Sequence, residues 1–289
     1  MADQTGKELT MRPGGAGVLR LVSAALAALP WVVASLFIFA ALLAPLLAPY
    51  NPISNVGPPM LALFSEGHAL GTDGFGRDQL SRLLYGLRPM LVVSLGAVTL
   101  AMLIGGAYGL ISGVNGGRAD WVMMRLIDIL MSFPLILAAI LVLAALGPSL
   151  LNLTLAVAVS QLPIFARLAR ALASGEAARD YVMAARAAGF TPLHVMIREV
   201  APNILRPLLV QATSVVALAA LTAAALSYLG LGLRPPAPDL GYMVREGQEL
   251  IFIAPEQTIL PGLLIAVFAL AVSFCGDQLA DSDRSGGRR

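Results

Sequence analysis

Five long stretches of the sequence contain no Asp, Glu, Lys or Arg, and they constrain the fold more than any other feature. They cover residues 21–65, 89–117, 129–166, 207–233 and 257–276. A charge at the centre of a membrane helix costs about 2.5–3.5 kcal/mol on insertion scales, so such stretches predict membrane spans. The chain is 58% apolar and 12% charged, against roughly 25% charged residues in a soluble domain. This composition excludes a soluble enzyme, a disordered tail and a fibrous protein.

The stretch 129–166 is long enough for two spans. As a single helix its 38 residues would measure about 57 Å, nearly two hydrocarbon cores. Gly147-Pro148-Ser149 interrupts it with a turn signal, so we expect a hairpin. A signal peptide is the weaker interpretation of the first stretch, since signal apolar regions are about 7–15 residues long. The sequence thus predicts an all-α integral membrane protein with six spans, at about 22–47, 90–112, 129–147, 150–168, 206–229 and 258–278.

The distribution of arginine indicates the orientation. With the N-terminus inside, 14 of the 19 basic residues fall in inside segments and 5 fall in outside loops. Because basic residues collect on the cytoplasmic side, we expect both termini there. The predicted parts are a cytoplasmic tail 1–20, a six-span domain 21–280 with outer loops 48–89 and 230–257 and an inner loop 166–206, and a cytoplasmic tail 281–289.

The inner loop 166–206 is too long for a simple connector. Its alanine and arginine residues favour helix up to Gly189, which suits the left-handed conformation that ends a helix. Thr191 can cap a second helix with Pro192 at its first position, and Pro202 marks the end of that helix or a kink. The loop therefore predicts two short helices joined by a glycine bend. An interfacial amphipathic hairpin is the alternative interpretation of the same spacing.

Four charged residues alternate in sign at the end of the first outer loop: Asp73, Arg77, Asp78 and Arg82. On a helix these spacings would bring opposite charges together, so we expect mutual ion pairs with a structural role. Solvated pairs of this kind contribute under about 1 kcal/mol each. Contact with a substrate is the alternative role.

Two further patterns lie at or within the predicted spans. Asp128 stands at the inner end of the third span, three residues after Arg125, and we expect an interfacial ion pair between them rather than a proton relay. Gly105, Gly109 and Gly113 recur at four-residue spacing, which lets membrane helices pack closely.

The sequence lacks the residues that several kinds of functional site require. Lys7 is the only lysine and precedes Glu8, so no Gly-Lys-Ser/Thr of a P-loop exists and the chain cannot be its own ATPase. His68 and His194 fall on opposite predicted sides, so no two-histidine metal site is expected. The single cysteine, Cys275, excludes an intramolecular disulfide. We find neither a nucleophile–base pair nor a basic patch for nucleic acid. An ATP-independent channel or a membrane enzyme remains the alternative of a different class.

Within the inner loop, Ala184-Ala185, Gly189 and Pro202 resemble the EAA loop of ABC importer permeases. Other segments resemble the C-type permease of dipeptide, oligopeptide and nickel importers, and only the first twenty and last few residues fall outside this resemblance. These segments are Leu70-Gly71-Thr72-Asp73, Gly76-Arg77-Asp78, Ser81-Arg82-Leu83, Gly86, Asp120, Met124 to Leu130, Ser132-Phe133-Pro134, Ser227 to Gly232, Pro235-Pro236, Pro261-Gly262 and Gly276-Asp277.

The sequence departs from that family pattern at five positions. Met183 stands where the EAA loop usually has glutamate, and Glu199 and Ala201 replace an apolar pair before the proline. In the second outer loop, Leu240 stands where the family usually has tryptophan, and Glu256 stands where an aromatic residue is frequent. The first of these changes points to the peptide branch of the family, and the last two concern substrate or receptor details.

The resemblance implies a six-transmembrane-helix permease bundle that encloses a path together with a second, homologous permease, as a heterodimer. It implies two ABC ATPase subunits that bind ATP and Mg, an extracytoplasmic substrate-binding protein, and location in the bacterial cytoplasmic (inner) membrane. The implied substrates are dipeptides and oligopeptides, with nickel chelates, glutathione or another peptide-like solute as alternatives. The cytoplasmic coupling-helix loop that docks on an ATPase subunit would contain Tyr181, Ala184, Ala185, Arg186, Gly189 and Pro202.

Overall fold

The structure is a computed structural model that describes the backbone of residues 13–286 and the side chains of residues 27–134 and 136–282. Parts of both predicted tails, residues 1–12 and 287–289, lie outside the described residues. Within the described range the chain is helical, and β-structure is limited to isolated bridges in the first outer loop. The helices are α1 (Pro13–Leu42), α2 (Ala44–Leu47), α3 (Gln79–Asn115), α4 (Gly117–Met131), α5 (Leu135–Leu146), α6 (Leu150–Ala177), α7 (Asp180–Ala187), α8 (Pro192–His194), a π-helical segment (Val195–Val200), α9 (Ala201–Tyr228), α10 (Leu240–Gln248) and α11 (Glu256–Gly286).

Four helices among the described residues are long and apolar enough to cross a membrane. They are α3, α6, the continuous helix Pro192–Tyr228 and Glu256–Ser282 within α11. The pair α4 and α5 would make a fifth span if the two helices form one broken span. Ala27–Leu42, the part of α1 whose side chains are described, is a shorter apolar helix at the place of the first predicted span. Over residues 27–134 and 136–282 the structure thus has four or five units that are both long and apolar enough, where the sequence predicted six spans, and α1 itself extends back to Pro13.

The third predicted span, 129–147, is not one straight helix. The axes of α4 and α5 meet at 85°, and Ser132-Phe133-Pro134 separates them. Proline lacks a backbone N–H and disfavours helical geometry in the residue before it, so the helix breaks there. The helix α5 has 12 residues and measures about 18 Å, which is less than a hydrocarbon core of about 30 Å.

The predicted hairpin turn after α5 is confirmed. Gly147 ends α5 with a φ of +79°, the left-handed region that glycine adopts without strain. Ser149 begins α6, and its side-chain oxygen accepts a hydrogen bond from the backbone N–H of Asn152 at 3.1 Å.

The predicted close packing at the glycine stripe is also confirmed, and it joins α3 to α6. A Cβ atom added at Gly109 would lie 2.2 Å from the carbonyl oxygen of Ala166, and one at Gly113 would lie 2.6 Å from that of Arg170. Gly105 makes a similar approach to α6. Because real Cβ atoms do not come this close to backbone oxygens, the two helices can touch only where these residues have no side chain.

We expect the substitution Gly109→Ala to destabilise the protein by about 1–3 kcal/mol, the usual cost of overpacking. Its methyl group would overlap the carbonyl oxygen of Ala166, so α3 and α6 would have to separate. The matched control is Gly106→Ala, whose added methyl would meet Leu208 at an ordinary 3.7 Å. The measurement is the thermal unfolding temperature of both variants in the same detergent. Equal unfolding temperatures for the two variants would contradict this account.

Candidate functional site

The inner loop folds as the two predicted helices around a glycine bend. The helix α7 is followed by Gly189 with a φ of +84°. The side-chain oxygen of Thr191 then accepts a hydrogen bond from the backbone N–H of His194 at 3.3 Å, with Pro192 at the first position of α8. The helix–bend–helix prediction from the spacing is therefore confirmed.

Of the two alternatives predicted at Pro202, an end of the second helix or a kink, the end is wrong, because this helix runs without interruption into α9. The π-helical segment just before Pro202 explains how the continuous helix accommodates this proline. There the backbone N–H of Ala201 donates to the carbonyl of Met196, five residues back. Proline has no N–H to place in either helical pattern, so it fits at the boundary where the wider π turn gives way to the α-helix.

The inner loop presents apolar side chains to its surroundings. About half of the surface of each of four large apolar side chains is exposed, those of Met183, Phe190, Leu193 and Ile197. Beneath them Val182 and Val195 are fully buried and attach the loop to the bundle. The ring of Phe190 stacks on that of His194, with the ring centroids 4.6 Å apart. Several large apolar side chains exposed within one loop are typical of a protein interaction site.

The six predicted site residues of this loop lie on its accessible side. Five of them, Tyr181, Ala184, Arg186, Gly189 and Pro202, are exposed, and Ala185 is half-buried. A cavity of about 250 Å³ separates the loop from the end of α3. Its lining residues are Val114, Asn115, Arg186, Phe190, Pro192 and Val195.

The charged residues of the first outer loop form a second candidate site. Arg77 donates to the carboxylate of Asp73 at 2.6 Å, and Arg82 donates to the same carboxylate. Both arginines also bind Glu246 on α10, Arg77 at 3.2 Å and Arg82 at 2.8 Å. We call Asp73, Arg77, Arg82 and Glu246 the outer cluster. It connects the first outer loop and the start of α3 to the second outer loop.

Three expectations for these charges are wrong. The helix α3 begins only at Gln79, so Asp73 and Arg77 pair in the turn before it rather than on a helix. Asp78 pairs with no arginine in the described structure. Its carboxylate accepts from the backbone N–H of Ser81 at 2.9 Å, which caps α3, and contacts His68 at 2.9 Å. The pairs are also not solvated, because the side chain of Arg82 is 1% exposed and that of Arg77 is 6% exposed.

The sequence interpretation missed Glu246, and no spacing rule could have found it. Glu246 lies 164 residues after Arg82. It is held in place by α10, which Asp239 caps by accepting the backbone N–H of Gly241 at 3.0 Å. Burial raises the pKa of Asp239 above the ordinary value for aspartate.

Leu240, which departs from the family pattern, is a packed core residue at the start of α10. It is buried, and its side chain lies 3.0 Å from where a Cβ atom on Gly86 would be.

A cavity of about 370 Å³ adjoins the outer cluster. All four members of the outer cluster line this cavity, and Arg245, Glu249 and Tyr242 line it as well. Since the acidic and basic groups of the cluster are already paired with one another, the cluster acts first as a connection between the two outer loops.

On the predicted inner side, two ion pairs join α4 to α6. Asp128 pairs with Arg167 at 2.6 Å, so the predicted partner Arg125 is wrong. A carboxylate on one helix can reach a neighbouring helix as easily as the preceding turn of its own, and sequence spacing does not distinguish these partners. Asp120 accepts two hydrogen bonds from Arg170, at 2.6 and 2.5 Å, which is the bidentate geometry characteristic of arginine.

Long apolar helices in one bundle, linked by an exposed helix–bend–helix, define a multi-pass membrane protein of the permease type. Residues 105–282 match the family described as the binding-protein-dependent transport system inner membrane component. The di/tripeptide transport system permease protein DppC of Pseudomonas aeruginosa is 42% identical over 255 residues, 86% of this chain and 84% of that relative. The chain belongs to this family, as its motifs predicted.

Two further comparisons agree with this assignment. The glutathione transport system permease protein GsiD of Pectobacterium atrosepticum is 37% identical over 79% of this chain and 74% of that relative. Among solved structures, a chain of the MetNI methionine ABC transporter in an inward-facing conformation matches with a TM-score of 0.57 and 19% identity. That match covers 70% of this chain and 95% of the other. The last comparison establishes the permease fold.

Proposed function

We propose that the chain is the permease subunit of an ATP-driven importer of dipeptides and oligopeptides, and that it forms half of the translocation path with a second, homologous permease. The observation that carries this proposal is the inner loop, which leaves large apolar side chains half exposed between two long apolar helices. An apolar surface at such a place fits a protein partner. The partner that fits the family is an ABC ATPase subunit, one for each permease of the pair.

ATP and Mg belong to the ATPase subunits in this proposal, because the sequence contains no P-loop lysine. In this proposal the chain needs no cofactor or metal of its own, and its contribution is mechanical. Tyr181, Ala184, Ala185, Arg186 and Gly189 lie on the docking side of the inner loop, and Pro202 lies where the loop enters α9. Closure of the ATPase pair would move these loops and open the path to the outside.

The proposed location is the bacterial inner membrane with both termini in the cytoplasm. The excess of arginine in the inner segments supports this orientation. It puts the outer cluster and its cavity on the opposite side, where an extracytoplasmic binding protein would deliver substrate. The similarity to a di/tripeptide permease supports peptides as the substrate class.

Glutathione is the second candidate substrate, and the similarity to a glutathione permease supports it. A nickel chelate or another peptide-like solute would suit the same architecture. Selectivity in this design belongs mainly to the binding protein. The direct measurement is therefore a thermal-shift screen of the cognate binding protein against dipeptides, longer peptides, glutathione and nickel chelates.

The proposal is tested by uptake of a labelled dipeptide into proteoliposomes that contain both permeases, the ATPase subunits and the binding protein. We expect uptake only with ATP and with catalytically active ATPase subunits. Uptake that persists with inactivated ATPase would contradict the proposal and favour an ATP-independent channel. Uptake of glutathione in place of dipeptides would keep the mechanism and change the substrate.

A further inference from the structure

The hydroxyl group of Tyr181 lies where three helical parts of the inner region meet. Tyr181 belongs to α7, and its hydroxyl oxygen accepts a hydrogen bond from the side-chain amide of Asn203 on α9 at 2.8 Å. The same hydroxyl donates to the carboxylate of Glu176 on α6. The carbonyl oxygen of Glu199, in the π-helical segment, lies 3.2 Å away. One side chain therefore joins α7 to the ends of two long apolar helices.

Few other contacts fix α7 to the bundle. Val182 is the one buried residue of this helix. Tyr181 itself is 39% exposed, and the hydrogen bonds of its hydroxyl add to this partial packing. On the side of α6, Arg179 reinforces the connection by pairing with Glu176 at 3.1 Å. The position of α7 relative to α6 and α9 thus depends strongly on the hydroxyl of Tyr181.

The π-helical segment supplies part of this link. The amide of Asn203 donates to the carbonyl of Glu199 at 2.7 Å as well as to Tyr181. The side chain of Asn203 therefore connects the tyrosine to the backbone just before Pro202. Single π-helical turns within α-helices occur frequently at functional sites, where they change the register of a helix locally.

The protonation state of the tyrosine suits this arrangement. Burial raises the pKa of Tyr181, and the hydrogen bond to Glu176 raises it further. The phenol therefore keeps its proton at neutral pH. It can donate to the carboxylate of Glu176 while its lone pairs accept the amide of Asn203.

We propose that the Tyr181 hydroxyl is a positioning group that transmits movement of α7 to α6 and α9. This proposal rests on the proposed function. When the ATPase subunits close, α7 follows the surface on which it docks. The bonds from Tyr181 to Glu176 and Asn203 carry that displacement into both long helices. Without the hydroxyl, the exposed docking residues remain, but α7 can move without moving the path.

The test is the variant Tyr181→Phe in the complete transporter, with ATP hydrolysis and uptake of labelled dialanine measured on the same proteoliposomes. We expect hydrolysis to continue, while uptake per ATP falls by at least about fivefold, the lower end of the usual range of allosteric coupling. Asn203→Leu removes the amide from the link and should lower the ratio similarly. The double variant should be no worse than either single variant, because both changes break one link.

The matched control is Tyr108→Phe. The Tyr108 hydroxyl also connects two helices, since it donates to the carbonyl of Met123 at 2.9 Å between α3 and α4, but it lies outside the proposed link. Uptake per ATP should therefore stay at the wild-type value in this variant. An unchanged ratio in Tyr181→Phe overturns the proposal, and so does a parallel loss of hydrolysis and uptake, which is the mark of a merely structural role. Additive effects in the double variant also overturn it.

A spectroscopic measurement separates this proposal from the proposed function. Spin labels are placed at Ala187 on α7 and Leu209 on α9, both exposed, in a Cys275→Ala background of the assembled transporter. We expect the distribution of distances between the labels to broaden in Tyr181→Phe, and an unchanged width overturns the link. If the wild-type transporter takes up no peptide, the proposed function fails, while the label distances still decide whether the tyrosine fixes α7.

Discussion

The substitution Gly189→Glu is expected to leave the protein in the membrane at its normal level and to reduce ATP-driven uptake strongly. Gly189 lies in the bend between α7 and α8 with a φ of +84°, and a Cβ atom there would meet no atom within 4 Å. The glutamate side chain therefore fits in the free chain and projects from the surface that we propose docks on the ATPase. A charge that is buried unpaired at an interface costs about 2–5 kcal/mol of binding free energy. A loss of about 1.4 kcal/mol weakens the affinity of the two proteins tenfold. Uptake should thus fall by more than about tenfold.

The matched control is Gly117→Glu. Gly117 also has a positive φ, +59°, with no atom within 4 Å of an added Cβ, and it begins α4 on the same predicted side of the membrane. The backbone strain of a non-glycine residue, about 1–2 kcal/mol, is therefore similar at the two positions. A glutamate at the start of α4 also suits the helix dipole. The measurements are membrane abundance, copurification of the ATPase subunits and dipeptide uptake, and normal uptake by Gly189→Glu would refute the docking role.

The local features of the inner loop could be predicted because each depends on neighbours in the sequence. The bend at Gly189, the cap at Thr191 and the proline at position 192 are rules about three or four successive residues. The turn at Gly147-Pro148-Ser149 is of the same kind. Such signals act through backbone conformation alone, and they need no knowledge of which helices become neighbours.

The contacts between distant segments could not be predicted in this way. Asp128 has an arginine three residues away in the sequence, yet it pairs with Arg167 on another helix. Glu246 belongs to the second outer loop, and only the packed bundle brings it to Arg82. Helix periodicity indicates which residues share a face of one helix, but it does not indicate which face of another helix lies opposite.

The ends of the spans could be predicted only in part from the sequence. Charge marks the edge of a span only when the charged residue faces lipid or water, whereas Arg88, which bounds the charge-free stretch 89–117, lies within the long helix α3 and donates to the backbone carbonyl of Ala41 at 2.7 Å. The same helix therefore begins well before the predicted span at residue 90. Placing a hydrogen-bonded arginine inside a helix bundle costs much less free energy than placing an isolated one in lipid. A prediction from charge alone therefore started this span too late.

The substitution Glu246→Gln is expected to cause the largest loss of stability of any single change considered for this protein. Glu246 is one of two carboxylates that neutralise Arg77 and Arg82, and the side chain of Arg82 is 1% exposed. Removing its charge leaves Asp73 alone between two buried guanidinium groups. Breaking a buried ion pair from one side costs about 3–5 kcal/mol, because the remaining charge stays buried without compensation. We expect a markedly lower unfolding temperature in detergent and less protein in the membrane fraction.

The matched control for this prediction is Glu249→Gln, one turn further along the second outer loop. Glu249 lines the same cavity but is exposed, so losing its charge should change stability by less than about 0.5 kcal/mol.

A second variant tests directly whether the uncompensated charge causes the loss of stability. Adding Arg82→Met to Glu246→Gln removes the uncompensated charge and leaves Asp73 paired with Arg77 alone, so stability should partly return. If Glu246→Gln unfolds at the temperature of the Glu249→Gln control, the outer cluster does not hold the two outer loops together. If it unfolds early and the double variant recovers, electrostatic compensation rather than the shape of the glutamate side chain is what joins them.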